Sequence, residues 1–147
     1  METAMPLIHI IYVSTAHQEC SPAELKAILE SSARHNARHG ITGMLLYAEG
    51  CFLQILEGEA GPVDETYARV ARDARHFGLI ELERDEIQAR SFEQWSMGFK
   101  QVTEEEIRRH PSFAPFFEHG FDPASIGAHP GLAFDLLQAF ARNQQRL

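Results

Sequence analysis

Residues Leu7 to Ser14 form a β-branched run without glycine or proline, apolar on both of its alternating faces. The run is too short for a helix and reads as a central strand, so the chain must build a sheet that is covered on each side. Alternation puts Ile8, Ile10, Tyr12 and Ser14 on one face. Ser21-Pro22-Ala23-Glu24 follows, supplying an N-cap, a proline for the first turn and a capping-box glutamate, so a helix begins there and stops at Gly40.

On that helix Leu25, Ile28, Leu29 and Ala33 make the core-facing stripe, and at 100° per residue Asn36 falls about 20° from Leu25, which turns an amide inward. Gly43 to Ala48 and Cys51 to Glu57 are two strands joined through Glu49-Gly50, a hairpin connection whose glycine accepts a positive φ. Gly61-Pro62 opens a second helix, with Val63, Tyr67, Val70, Ala71 and Ala74 on its buried stripe and Gly78 at its end. Leu79 to Arg90 and Trp95 to Val102 are two further strands.

The order βαββαββ is that of an α+β ferredoxin-like sandwich with one added strand, its two helices on one sheet face. Thr103-Glu104-Glu105-Glu106 is a second capping box, before Pro111, and Leu132, Ala133, Leu136, Leu137 and Phe140 mark a terminal amphipathic helix. Residues 103–147 are thus a C-terminal helical extension packed on a core domain of residues 6–102, and they shield its other face. Between these helices Phe113, Phe116, Phe117 and Phe121 read either as sheet cover or as a surface for a partner or a second copy.

Twenty-one acidic against thirteen basic side chains give a net charge of −8, the wrong sign for gathering phosphates along a nucleic acid. Cys20 and Cys51 are too few for a disulfide framework or a cysteine-rich zinc site. No apolar run reaches the ~20 residues of a membrane span, and no secretory signal precedes Leu7, so the expected location is the cytoplasm with reduced thiols.

Alternation puts Gln54 on the same face as Phe52 and Leu56, so its amide needs partners. Left bare when buried, it would cost about 1–3 kcal/mol. Tyr12 and Asn36 pose the same problem on neighbouring elements, which points to one polar pocket between sheet and helices, or to an internal network that only fixes the core. His35 and His39 have a spacing that suits two zinc ligands, but no third ligand follows in a recognisable pattern, and no metal is expected. Glu57 and Glu59 read as solvated loop charges rather than a hydrolytic pair.

Four segments in register resemble the BLUF family, flavin-binding sensors of blue light: Tyr12-Val13-Ser14, Asn36 to Leu45, Phe52 to Gly58, and Ser91-Phe92-Glu93-Gln94-Trp95-Ser96-Met97. The resemblance implies a flavin held between the two helices, FAD being usual and FMN or riboflavin tolerated. It implies that Asn36 meets the polar edge of the ring, that Gln54 lies between Tyr12 and the flavin, and that His35 borders the ring. Arg69, Asp73, Arg75 and His76 are then expected near the ring edge or the ribityl and phosphate tail. It further implies that Tyr12 is an electron donor, that Gln54 relays the proton and rewrites its hydrogen bonds, and that the light response is a red shift in absorption. Trp95, Met97 and Phe99 share strand parity in this reading, so that Trp95 and Met97 can exchange places beside Gln54 and pass the signal onward. The expected protein is not an enzyme; it acts on a separate effector protein and assembles as a homo-oligomer. The rivals are a small hydrolase of the acylphosphatase type, whose glycine-rich phosphate loop is missing, and a light-inert interaction module.

Overall fold

The computed structural model describes residues 6–16, 18, 21–48, 50–93, 95–118 and 120–141. Cys20, Glu49 and Gln94 lie outside the described residues. Strand β1 (Leu7–Ala16) is followed by α1 (Pro22–His39), the hairpin β2 (Thr42–Ala48) and β3 (Cys51–Glu59), α2 (Ala60–Ala71), β4 (His76–Glu86) and β5 (Gly98–Gln101). Short helices α3 (Glu104–Arg108) and α4 (Pro123–Gly127) flank a 3₁₀ segment, Pro111–Phe117, and α5 (Pro130–Ala141) comes last.

The sheet order is β4-β1-β3-β2-β5, antiparallel except for the β2–β5 pair. This is the ferredoxin-like sandwich with its fifth strand added beside β2. Because strand side chains alternate, the sheet has two separate apolar faces. Ile8, Ile10, Tyr12, Phe52 and Leu56 face Leu25 and Leu29 of α1 and Val63 of α2. Ile11, Val13, Leu53 and Ile55 face the other way, onto Ile107, Phe113, Phe116, Ile126, Leu136 and Leu137. The phenylalanine-rich segment therefore covers the sheet: Phe113 and Phe116 are buried, and Phe117 and Phe121 are partly buried against the same cluster. Phe116→Ala should cost about 3–5 kcal/mol, read as a lowered urea midpoint, because it removes a fully buried ring and leaves a cavity.

Both capping boxes form. Ser21 Oγ accepts from Glu24 N and Glu24 returns the bond to Ser21 N, while Thr103 and Glu106 repeat the exchange on α3. Gly40 closes α1 at φ 66°, a left-handed position suited to glycine.

Several expectations need correction, among them the fourth strand, which runs His76–Glu86 and not Leu79 to Arg90. Helix α2 ends at Ala71, not Gly78, because Asp73 Oδ1 accepts from the backbone N–H of Arg75 (2.9 Å) and turns the chain. Ala74 lies beyond the helix and Ala71 is exposed, whereas Gly78 (φ 63°) sits inside β4 where the register against β1 slips between Val13 and Thr15. Strand β5 begins at Gly98, since Trp95 N bonds back to Phe92 O and keeps Trp95 and Met97 out of the strand. Trp95 and Met97 consequently share no strand face. Trp95 packs with the cluster under the C-terminal helices, and Met97 with the cluster under α1 and α2.

Candidate flavin-binding site

Tyr12 on β1 and Gln54 on β3 are directly opposite in register, and both face α1 and α2. The Tyr12 hydroxyl donates to Gln54 Oε1. Burial is the main reason that this phenol's pKa is pushed far above its ordinary value, with Tyr67 and Asp73 adding to the effect, so Tyr12 enters the bond as a protonated donor. The other end of the same amide, Gln54 Nε2, donates to Met97 Sδ at 3.3 Å. A directed chain, Tyr12 to Gln54 to Met97, results.

Asn36 is 1% exposed, as its helical angle foretold, and its Nδ2 donates to the carbonyl of Ser96 at 2.7 Å. Next to it, Arg69 donates to His35 Nδ1 (2.5 Å), which leaves the imidazole proton on Nε2 for Thr66 Oγ1 (2.9 Å). Burial first, then the Arg69 charge, lowers the pKa of His35 and favours the neutral ring. His39 stacks on His35 and donates from Nδ1 to the His35 carbonyl at 2.7 Å, so this pair is occupied by protein partners.

At the end of α2, Asp73 receives the Arg75 guanidinium, and hydrogen bonding from that group holds its carboxyl below the usual range. His76 donates from Nε2 to Val70 O, since a carbonyl can only accept, and its Nδ1 is hydrogen-bonded with Ser14 Oγ, both at 2.6 Å.

These side chains line an open cleft between α1 and α2 with two adjoining lobes. Tyr12, Ser14, Phe52 and His76 border the first, His35, Asn36, Thr66, Arg69 and Met97 the second, and Gln54, Asp73 and Arg75 both. All eight residues expected around a cofactor thus come together, and Met97 with them. Trp95 lines neither lobe.

The cleft suits a flat, mostly apolar ring with one polar edge. Ile28, Leu45, Phe52, Leu56 and Val70 offer apolar walls and two amides offer donors and acceptors, with Arg69 and Arg75 also lining the cleft.

Sequence reasoning missed three polar contributors. Ser14 had the right strand parity, and Thr66 lies three residues beyond Val63 on the inner stripe of α2, so both were visible as inward polar positions. Glu57 was read as a solvated charge, yet it is 0% exposed and takes hydrogen bonds from Thr42, Ser91 and Phe92.

Residues 7–98 match the family model described as sensors of blue-light using FAD, and the chain belongs to this BLUF family. The chain is 33% identical over 106 residues to photoactivated adenylate cyclase subunit beta of Euglena longa, covering 71% of itself and only 12% of that protein. Among solved structures, BlsA in its ground state superposes with a TM-score of 0.76 at 26% identity, over 96% of this chain and 91% of that one. Klebsiella pneumoniae BlrP1 with FMN and cyclic diGMP gives 0.65 at 27% identity, over 93% of this chain and 35% of that one. The matched model describes a blue-light sensor that uses FAD. Among the described residues no helix is long and apolar enough to cross a membrane.

Proposed function

We propose that the chain is a blue-light photoreceptor in which a flavin between α1 and α2 is read through Tyr12 and Gln54. The observation that carries this reading is the buried chain Tyr12–Gln54–Met97 along the floor of the cleft. Residues 6–102 form the sensory unit and 103–147 its extension, of which 142–147 lie outside the described residues, and FAD is the expected cofactor. FMN is an alternative, supported by its presence in the BlrP1 structure.

Bound flavin supplies the blue-light absorption and, when excited, an oxidant able to draw an electron from a nearby phenol. Tyr12 would be the donor of that electron and would receive it back as the cycle closes, and its proton would pass to Gln54 Oε1 only as Gln54 Nε2 gives one up, so that the amide stays neutral. The Gln54 amide has an accepting end and a donating end, so rotation or tautomerisation exchanges what it offers to Tyr12 and what it offers to Met97. Asn36 holds the polar edge of the ring, with His35 and Thr66 beside it, while Arg69, Arg75 and His76 take the ring border or the tail. A rearranged hydrogen bond is worth about 0.5–1.5 kcal/mol net, enough to shift a balanced equilibrium several-fold.

The signal then passes to a separate effector protein in the cytoplasm, through a homo-oligomeric receptor. The test is an absorption spectrum of the purified protein before and after blue light. A bound flavin spectrum that moves reversibly to the red supports the reading. Colourless protein sinks it in favour of a hydrolase, and a fixed spectrum in favour of an inert module.

A further inference from the structure

The Ser91–Met97 segment carries Met97 into the cleft and Trp95 to the opposite face, so its placement governs what Gln54 touches. The side chain of Trp95 is held by packing and not by hydrogen bonding. Its indole Nε1 is buried without a partner among the described residues. The ring also lies where a Cβ on Gly98 would be 2.5 Å from it, a close approach that only glycine permits. The segment's position is therefore set by the packing of Phe92, Trp95 and Met97 together with its backbone anchors.

Four of those anchors converge from three elements, β3, β2 and α1. Glu57 accepts from Ser91 N at 2.7 Å and from Phe92 N at 2.8 Å, using both carboxylate oxygens. Gly43 N donates to Trp95 O at 3.1 Å, and Asn36 Nδ2 donates to Ser96 O. Arg90 completes the arrangement from outside: its guanidinium donates to Gly40 O (2.7 Å), Thr42 Oγ1 (3.0 Å) and Glu57 O (3.2 Å). Thr42 in turn donates to Glu57 Oε1 at 3.0 Å. Gly40 is the C-cap of α1, one turn from Asn36, so Arg90 fixes the helix end that carries Asn36 relative to the segment that carries Ser96.

We propose that Glu57 and Arg90 are positioning residues of the light response, a clamp on the Ser91–Met97 segment whose strength sets how fast the lit state reverts. For its kinetic part this rests on the photoreceptor reading given above. Reversion needs the segment to shift while Gln54 changes partners, and each bond in the clamp opposes that shift.

The experiment uses flavin-loaded protein carrying Arg90→Met or Glu57→Gln, with Arg90→Lys as the conservative control. Trp95 is the chain's only tryptophan, so emission in the dark and its quenching by acrylamide report the segment directly. In Arg90→Met the fold and the bound flavin are retained, emission moves to the red with easier quenching, and dark recovery is about fivefold faster, as expected for one net hydrogen bond removed from the barrier. Arg90→Lys restores part of the parent rate. If Glu57→Gln does not fold, Arg90→Met decides alone. Parent-like recovery in Arg90→Met overturns the proposal, even with shifted emission, since the clamp would then be only structural. If the parent itself shows no light-induced spectral change, the photoreceptor reading is what fails, and unchanged emission in Arg90→Met then removes the clamp as well.

Discussion

Tyr12→Phe is expected to bind flavin like the parent protein and to lose the red-shifted lit state altogether. The ring is 2% exposed and fills space between β1 and the Tyr67 ring, 5.4 Å away centroid to centroid, and phenylalanine keeps that packing. What disappears is the single O–H that donates to Gln54 Oε1. Without it the cleft has neither the protonated phenol that burial maintains nor the first link of the relay. The measurement is a light-minus-dark absorption difference spectrum with flavin content determined on the same sample. A parent-like difference spectrum would remove Tyr12 from the mechanism.

Gln54→Leu should abolish the shift just as completely, for a different reason. Leucine matches the shape of the side chain and keeps β3 apolar toward α1, but it can neither accept from Tyr12 nor donate to Met97. The Tyr12 hydroxyl is then buried without an acceptor, which should lower stability by about 1–3 kcal/mol in urea unfolding. Combining the two changes removes the orphaned donor, so Tyr12→Phe/Gln54→Leu should be more stable than Gln54→Leu alone. This non-additivity belongs to a hydrogen-bonded pair, and additive losses would mean that the two groups act separately. A wild-type difference spectrum in Gln54→Leu would refute the amide relay.

Much of the sandwich was legible because its signals are local. The Ser21 and Thr103 capping boxes, the Gly40 stop and the alternation of β1 and β3 each depend on a few neighbouring residues. Asn36 was placed correctly by helical angle alone, and Gln54 by strand parity. The errors came where distant groups decide. Asp73 ends α2 with a side-chain bond to the backbone that competes with helix, while the pattern of alanines carries on past it. The Ser91–Met97 segment is shaped by Glu57 on β3, thirty-five residues from the Phe92 N–H that it binds, and nothing near Trp95 announces that contact. Glu57 itself looked like a surface charge because acidic residues at strand ends usually are; only the fold brings two amide donors to it.

Neighbouring positions along β1 and β3 belong to different compartments: Tyr12 and Gln54 to the chamber for the chromophore, Val13 and Ile55 to the padding beneath the tail helices. Substitutions in the padding therefore act first on robustness, and reach the chromophore chamber through the one segment the two compartments share, whose Phe92 and Trp95 lie in the padding and whose Met97 touches Gln54.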